Sequence, residues 1–173
     1  MKYDLGCGPW KMPGFYGIDI EQFEGVDEVC DLMQLPWPIA DGSAEEIRMS
    51  HFLEHITIPI DDVVQEVHRV LQPNGTFTII LPNLRGAGAF NPGHTLWIDE
   101  EYFMKNTLFQ SLFTVKQYHY SKRHTELSLV QAVERMSQIL GIPVQMLDRL
   151  LWNTFHQVEI ICTKKEVVQN GID

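Results

Sequence analysis

Four side chains that can bind a metal ion or move a proton lie near the middle of the chain. The stretch SHFLEHI contains His51, Glu54 and His55, and His94 follows in a glycine-rich stretch. An imidazole titrates near neutrality, so His51 or His94 could act as a general base. Imidazole and carboxylate groups also suit zinc, iron or manganese. Spacing alone does not assure three converging ligands, so we predict catalytic roles for these four residues and assign no metal ligand. A role in bracing a sheet edge stays open.

A second set of polar residues follows successive apolar runs near the start of the chain. DLGCG spans Asp4 to Gly8, Asp19 lies in GIDI, and Asp31 lies in CDL. Glycines tolerate positive φ and let a ligand approach the backbone, where exposed amides can meet a carboxylate or phosphate. Asp19 could accept both hydroxyls of a ribose, and Asp31 could meet the exocyclic amine of an adenine. Each acid taken singly would be a strand-end cap or a solvated group, but the ordered set predicts an adenosine pocket.

The elements that must position both sets alternate between strand and helix patterns. The apolar spacing in PIDDVVQEVHRVL predicts a helix that the sequence PNG ends. Apolar and β-branched runs predict strands at 2–5, 15–20, 26–32, a fourth ending at Ser50, and then 76–82, 113–121 and 156–163. Such alternation predicts a parallel sheet, in which ligands bind beyond the carboxyl ends of the strands. Because both polar sets follow strands, we expect them at that one edge.

Further segments bear on the site and on assembly. A helix that begins after Ser50 would put His51 and His55 one turn apart on one face. Three glycines and a proline over 84–94 predict a loop, either a substrate lid or a plain surface connection. A helix is predicted from Asp99, with acids in its first turn. A helical insert over 126–152, before the last strand, would cover the substrate or form a homodimer.

Composition limits the class of protein. The chain has 173 residues, 45% of them hydrophobic, which predicts a single domain over 1–173. A formal net charge of −10 and the lack of a basic run disfavour nucleic acid as a partner. No apolar run is long enough to predict a membrane span, Met1 is not followed by a secretory leader, and the three cysteines are scattered. We therefore expect a cytoplasmic protein with reduced thiols.

Two nucleotide classes fit a glycine loop after a strand. A dinucleotide site needs three glycines that lead into a helix, with an acid about twenty residues later. Here Pro9 stands where the glycine run would continue, Asp19 follows Gly8 closely, and PWKMPGFYG is too rich in proline and glycine for a crossover helix. These features count against a nicotinamide cofactor, and a nicotinamide-dependent reductase stays a third hypothesis.

At these residues the sequence resembles the class I S-adenosylmethionine-dependent methyltransferases. DLGCG is similar to their first motif, GIDI to the ribose-binding motif and CDL to the adenine-binding motif, and MSHFLEHI and EVHRVLQPNGTFTIILPN resemble later segments. The resemblance covers about the first half of the chain and is closest to short predicted methyltransferases that lack the first helix. It implies an α/β, Rossmann-like, mostly parallel sheet with an antiparallel last strand and a truncated N-terminus.

The resemblance also implies a cofactor, S-adenosyl-L-methionine, and the residues that bind it. These are Asp4, Leu5, Gly6, Cys7 and Gly8 around the methionine moiety, Asp19 and Ile20 at the ribose, Asp31 and Leu32 at the adenine, and Ser50 and His51 near the sulfonium. The set of histidines and Glu54 is similar to the ligands of some metal-dependent O-methyltransferases, with His51 where those enzymes have a Glu.

The expected activity is therefore methyl transfer to an oxygen or nitrogen of a small molecule or a sugar unit. The alternative from another class is a non-catalytic S-adenosylmethionine-binding module of an assembly.

Overall fold

The computed structural model describes residues 1–121, 135–143, 146 and 156–166. Within these residues the strands are β1 (Lys2–Leu5), β2 (Tyr16–Asp19), β3 (Glu28–Val29), β4 (Ala44–Ser50), β5 (Leu71–Pro82), β6 (Phe113–Ser121) and β7 (Gln157–Lys164). They form one seven-stranded sheet in the order β3-β2-β1-β4-β5-β7-β6. The helices are α1 (Ile60–Val70), α2 (Glu100–Lys105) and α3 (Thr107–Leu112).

The sheet is parallel from β3 through β5, and β7 runs antiparallel between β5 and β6. This confirms the predicted Rossmann-like, mostly parallel sheet with an antiparallel last strand. The second half of β5 is buried on both faces, as its apolar sequence predicts. The antiparallel course of β7 has a consequence for the site, because Gln157, its first residue, pairs with Pro82 at the carboxyl end of β5.

The helices cover the sheet with apolar stripes. In α1 the buried stripe is Val63, Val64, Val67 and Val70. This helix ends at Val70, before the predicted PNG stop, because Leu71 is already extended and pairs with Ala44 of β4. The single helix predicted from Asp99 is two short helices, since the Asn106 side chain accepts a hydrogen bond from Phe109 N at 2.8 Å and caps α3.

The connection from β1 to β2 contains no α-helix, only a 3₁₀ turn at Gly8–Trp10. Parallel neighbours usually need a crossover helix. Here both strands have four residues, about 13 Å each, so a short extended return is long enough. Lys11 holds this return segment, residues 6–15, against the sheet. Its Nζ lies 2.7 Å from Asp27 Oδ2, and its aliphatic carbons occupy the space that a Cβ on Gly17 would fill.

The structure can be compared with three further predictions, which concern the third strand, the helical insert and a membrane span. The third strand, predicted over 26–32, is reduced to the two residues of β3, and Asp31 lies in the turn beyond it. Of the predicted 126–152 insert, residues 135–140 are helical and the greater part lies outside the described residues. In the part of the chain that the structure describes, no helix is long and apolar enough to cross a membrane.

A buried polar cluster anchors the loop between β3 and β4. Trp37 donates its indole N–H to Leu32 O at 2.9 Å and its backbone N–H to Glu66 Oε1 at 2.6 Å. Arg69 donates to both oxygens of Glu66, at 2.6 and 2.8 Å, and also contacts Asp41. Glu66 is almost fully buried, so these donors replace the water it would otherwise bind.

We expect Arg69→Met to lower the free energy of unfolding by about 1.5–3 kcal/mol at neutral pH, the scale of hydrogen bonds to a charged group. The hydrogen bond from Arg69 holds the pKa of Glu66 below its ordinary value. The stabilisation that ionised Glu66 contributes is therefore complete above the pKa of this carboxyl in the unfolded chain. It is lost as the pH falls through the lower pKa that Glu66 has in the folded protein. The loss caused by the substitution should be full at pH 7 and shrink in acid, which urea unfolding at a series of pH values measures.

The matched control is Lys105→Met, which removes an exposed pair with Glu101 on one helix face. Such pairs contribute about 0.3–0.5 kcal/mol, so this variant should unfold almost like the parent. Equal losses in the two variants, or a loss at Arg69 that does not change with pH, would contradict the role given to the cluster.

Candidate active site

The glycine loop after β1 folds back onto β2. Gly6 has a φ of +67° and donates its N–H to Ile18 O at 2.8 Å, and the Cys7 N–H reaches the same carbonyl at 3.4 Å. The Gly8 N–H donates to Asp19 Oδ2 at 2.7 Å. In this structure all three amides donate within the protein, because the short return presses the loop onto β2; that these residues contact a ligand stays a prediction.

Two glycines of the loop differ in their surroundings. A Cβ on Gly6 would lie 2.1 Å from Cδ2 of Phe52, so the phenyl ring already fills that side of the loop. A Cβ on Gly8, where φ is +53°, would meet no atom within 4 Å. Open space for a ligand therefore begins at Gly8.

Asp4 and Leu5 are fully buried below this loop. Asp4 Oδ2 accepts the Met12 N–H at 2.7 Å, and Asp4 Oδ1 lies 2.9 Å from Arg48 Nη1. Both residues are 0% exposed, so neither side chain reaches the surface in this structure, and their contact with a cofactor stays a prediction. Asp4 instead holds the return segment against the sheet.

Cys7 is also buried. Burial, with Asp4 and Asp19 close by, raises the pKa of its thiol to about 11, so Cys7 is a neutral side chain in the loop.

Asp19 ends β2 beside the loop, as its position in the sequence predicts. Its Oδ2 accepts the Gly8 N–H and its Oδ1 accepts the Glu21 N–H at 3.1 Å. Each carboxylate oxygen has a second lone pair, so both can accept a further hydrogen bond. The next residue, Ile20, is 63% exposed and offers an apolar surface beside that acid.

Asp31 and Leu32 lie one strand further out. Asp31 is partly exposed, and its Oδ1 accepts the Met33 N–H at 2.9 Å in a tight turn. Leu32 is buried in the core, and its carbonyl accepts the Trp37 indole. The side chain of Leu32 is therefore part of the core, and only its backbone can border a ligand.

The segment after β4 is not the helix that the sequence predicts. Partly exposed Ser50 ends the strand, and His51 has a φ of +55°, an unusual conformation for a residue with a side chain. The His51 N–H donates to Ile80 O at 2.8 Å, which extends the β4–β5 pairing and prevents a helix from starting there. Only a 3₁₀ turn, Leu53–His55, follows. His51 and His55 consequently do not share one helical face.

The structure nevertheless brings all four predicted catalytic residues to one cleft. The cleft has a volume of about 430 Å³, and most of its lining residues have polar side chains: His51, Glu54, His55, Asn91, His94, His156 and Gln157, with Pro82, Ala87 and Gly88 completing the wall. The ring of His51 lies between two oxygens, with Nδ1 3.2 Å from Glu54 Oε1 and Nε2 3.1 Å from Gln157 Oε1. The rings of His55 and His94 meet edge to face, 4.9 Å apart.

Glu54 fixes the segment that carries His94. Its carbonyl accepts the N–H groups of Thr95 and Leu96 at 2.8 and 3.1 Å, and the Thr95 hydroxyl bridges to Ile56 O at 2.8 Å. The loop predicted over 84–94 is thus tied to the 3₁₀ turn. This tie sets His94 against His55.

Three residues of the site were not found from the sequence. Arg48 pairs with Asp4 under the glycine loop, and its position inside β4 gives no signal of this partner. His156 and Gln157 line the cleft. They could have been found only from the topology, since an antiparallel β7 begins at the edge where the parallel strands end.

Comparisons with known proteins agree on the fold. The sequence profile of a family described as "Methyltransferase domain" matches residues 17–79. That range runs from β2 through most of β5, and so contains Asp19, Asp31 and the SHFLEHI stretch. A comparison of the sequence with curated proteins finds no match.

Solved structures give the same answer at low sequence identity. A SAM-dependent methyltransferase from Archaeoglobus fulgidus is similar over 94% of this chain and 85% of its own, with a TM-score of 0.63 and 16% identity. Phosphoethanolamine N-methyltransferase 2 from Haemonchus contortus, solved with S-adenosyl-L-methionine, is similar over 95% of this chain and 48% of its own, with a TM-score of 0.58 and 14% identity.

A cyclase, SpnF, also has this fold, with a TM-score of 0.62 and 16% identity over 96% of this chain and 74% of its own. The predicted resemblance to class I methyltransferases is confirmed at the level of the fold and of the matching domain. The cyclase shows that the fold does not by itself fix the reaction.

The two loop glycines give a paired test. Both have positive φ, so Gly8→Ala should cost about 1–2 kcal/mol of unfolding free energy. Gly6→Ala should cost about 1–3 kcal/mol more, because its methyl group must displace the Phe52 ring. Urea unfolding without ligand measures both. In a Phe52→Ala background the difference between the two glycine variants should shrink to what the remaining contact with Cβ of residue 52, at 3.0 Å, imposes, and an undiminished difference would contradict the contact with the ring.

Proposed function

We propose that this chain binds S-adenosyl-L-methionine at the tips of β1, β2 and β3 and transfers its methyl group to an oxygen or nitrogen of a small molecule or sugar unit. The match to the methyltransferase domain profile and the shared fold support this proposal. The observation that carries it is the direct contact between Gly8 N and Asp19 Oδ2 at 2.7 Å. Through that contact Gly8, which has open space beside it, lies next to Asp19, the acid proposed to bind the ribose.

The residues present fit an adenosyl group by their chemistry. Asp19 keeps lone pairs for two hydroxyls while it holds the loop. Asp31 Oδ2 has one weak partner, the Gln34 side chain at 3.4 Å, and can accept from an exocyclic amine. Exposed Ile20 borders the same surface. Gly8 leaves room for close approach of a ligand to the backbone.

The acceptor would enter the cleft beside Ser50 and His51. The cleft has a volume of about 430 Å³, which suits a small molecule or one sugar unit. The described lining includes no Lys or Arg, which does not favour a polyanionic acceptor.

When bound, the cofactor supplies an electrophilic methyl group, and much of the rate can come from holding the acceptor in line with it. With its Nδ1–H donated to Glu54, His51 would accept the proton of a hydroxyl or ammonium acceptor at Nε2, in place of the present contact of that nitrogen with the Gln157 side chain.

A second function, a non-catalytic cofactor-binding module, is favoured by one observation. All three loop amides are used inside the protein, so the methionine end of the cofactor would be held by fewer groups than in a loop whose amides are free. This function predicts binding of the cofactor with no turnover on any acceptor.

We expect Asp19→Asn to weaken binding of S-adenosylmethionine and S-adenosylhomocysteine by about 1.5–3 kcal/mol, because a carboxylate that accepts ribose hydroxyls is lost. Calorimetric titration measures this. Asp41→Asn is the matched control, since Asp41 precedes β4 at the opposite edge of the sheet and contacts Arg69. Binding by Asp19→Asn equal to that of the parent would show the ribose assignment to be wrong, and no binding by the parent at millimolar ligand would remove the methyltransferase function.

Turnover is tested by release of S-adenosylhomocysteine with a panel of small hydroxyl, amine and sugar acceptors. For an acceptor that is methylated, His51→Gln should lower kcat by about 10²–10⁴-fold. His119→Gln, an exposed change on β6, should leave kcat unchanged. If His51→Gln keeps full kcat, His51 is not the base; if the parent binds cofactor and methylates nothing, the module is favoured.

A further inference from the structure

We propose that Glu54, His55 and His94 bind a divalent transition-metal ion in the cleft. Each residue offers one ligand atom, and these three atoms lie within 4.8 Å of one another. Glu54 is buried, His94 is half-buried and His55 is exposed, so the cluster lies on the cleft wall with one side open. This inference goes beyond methyl transfer and stands or falls without it.

The two imidazoles are already set for coordination. His55 Nδ1 lies 2.9 Å from Gly93 O, and His94 Nδ1 lies 3.0 Å from Ala89 O. A carbonyl oxygen only accepts, so each Nδ1 carries a proton, and in the neutral ring each Nε2 keeps a lone pair that a cation could take. Metal-binding histidines show this arrangement, in which the second nitrogen donates to a carbonyl and fixes the tautomer.

The carboxylate supplies independent evidence for a ligand. Glu54 is 2% exposed, and its buried Oε2 has no hydrogen-bond partner among the residues that the structure describes. Its Oε1 is used by His51 at 3.2 Å. A buried carboxylate oxygen without a partner is costly, and a cation bound beside it would remove that cost.

The ligand set indicates the class of ion. Two imidazole nitrogens and one carboxylate oxygen are a set that zinc and iron(II) sites use, and a set this rich in nitrogen disfavours magnesium or calcium. Two ligands about 2.1 Å from a tetrahedral ion are about 3.4 Å apart, so the ligand atoms, which lie within 4.8 Å of one another, must move closer together. The ring of exposed His55 can turn to achieve this.

His51 is not part of this ligand set. Both of its nitrogens are occupied, one by Glu54 and the other by Gln157. The similarity noted from the sequence included four residues, with His51 in place of an acid. The structure reduces the set to three, leaving coordination positions open toward the cleft. An oxygen of the acceptor or a water molecule could fill them, as in catalytic metal sites.

The test uses the full chain, stripped with a chelator and then titrated with Co²⁺ and Zn²⁺ in the absence of S-adenosylmethionine. We expect one equivalent of Co²⁺ to give visible absorption bands, and Zn²⁺ to displace it. Glu54→Gln and His94→Gln should each weaken Zn²⁺ binding by more than about 100-fold, since the loss of an outer-shell partner alone costs 10–100-fold. His156→Gln, in the same cleft but outside the ligand set, should bind Zn²⁺ like the parent.

Circular dichroism of each variant without metal separates loss of the site from loss of the fold. If a folded Glu54→Gln or His94→Gln variant binds Zn²⁺ like the parent, or if the stripped parent binds no Co²⁺ or Zn²⁺ at micromolar concentration, the proposal is overturned. Because cofactor is left out, neither result depends on whether the chain transfers methyl groups.

Discussion

The absence of a crossover helix between β1 and β2 is the constraint on which the site depends. The chain must return from Leu5 to Tyr16 over residues 6–15 without an α-helix, so the segment stays close to the strands it joins, bonded to Ile18 and Asp4. The loop amides then donate to Ile18 O and Asp19. The edge of the sheet therefore presents side-chain carboxylates and bare glycine backbone where a helix N-terminus would present free N–H groups.

Three buried acids have a structural role in the loops near this site. Asp4 forms an ion pair with Arg48 and accepts a hydrogen bond from a loop amide. Glu66 likewise pairs with Arg69 and accepts the backbone N–H of Trp37. Asp19 accepts two backbone amides. Buried carboxylates are normally satisfied in this way, and these three hold the loops that border the proposed cofactor site. Glu54, in the cleft, departs from the pattern, because one of its oxygens has no partner in the described part of the chain.

The sequence predicted the sheet and the edge at which the polar residues meet, because hydrophobic patterns and glycine turns are local signals. It did not predict the local geometry of SHFLEHI. Its spacing fits a helix, but His51 N pairs with Ile80 O on the neighbouring strand, and this tertiary hydrogen bond overrides the local pattern. Gln157 was missed for a similar reason, since its contact with His51 joins residues far apart in the chain.

Phe52 fixes the two halves of the site relative to each other. The positive φ of His51 turns the chain between Ser50 and Phe52, and the phenyl ring then lies against Gly6. The same short segment places His51 beside Glu54 in the cleft. A residue with a Cβ at position 6 would push Phe52 away and with it the start of the histidine segment. Gly6 is therefore required for the spacing between the glycine loop and the cleft as much as for its own backbone conformation, and methyl transfer in line would depend on that spacing.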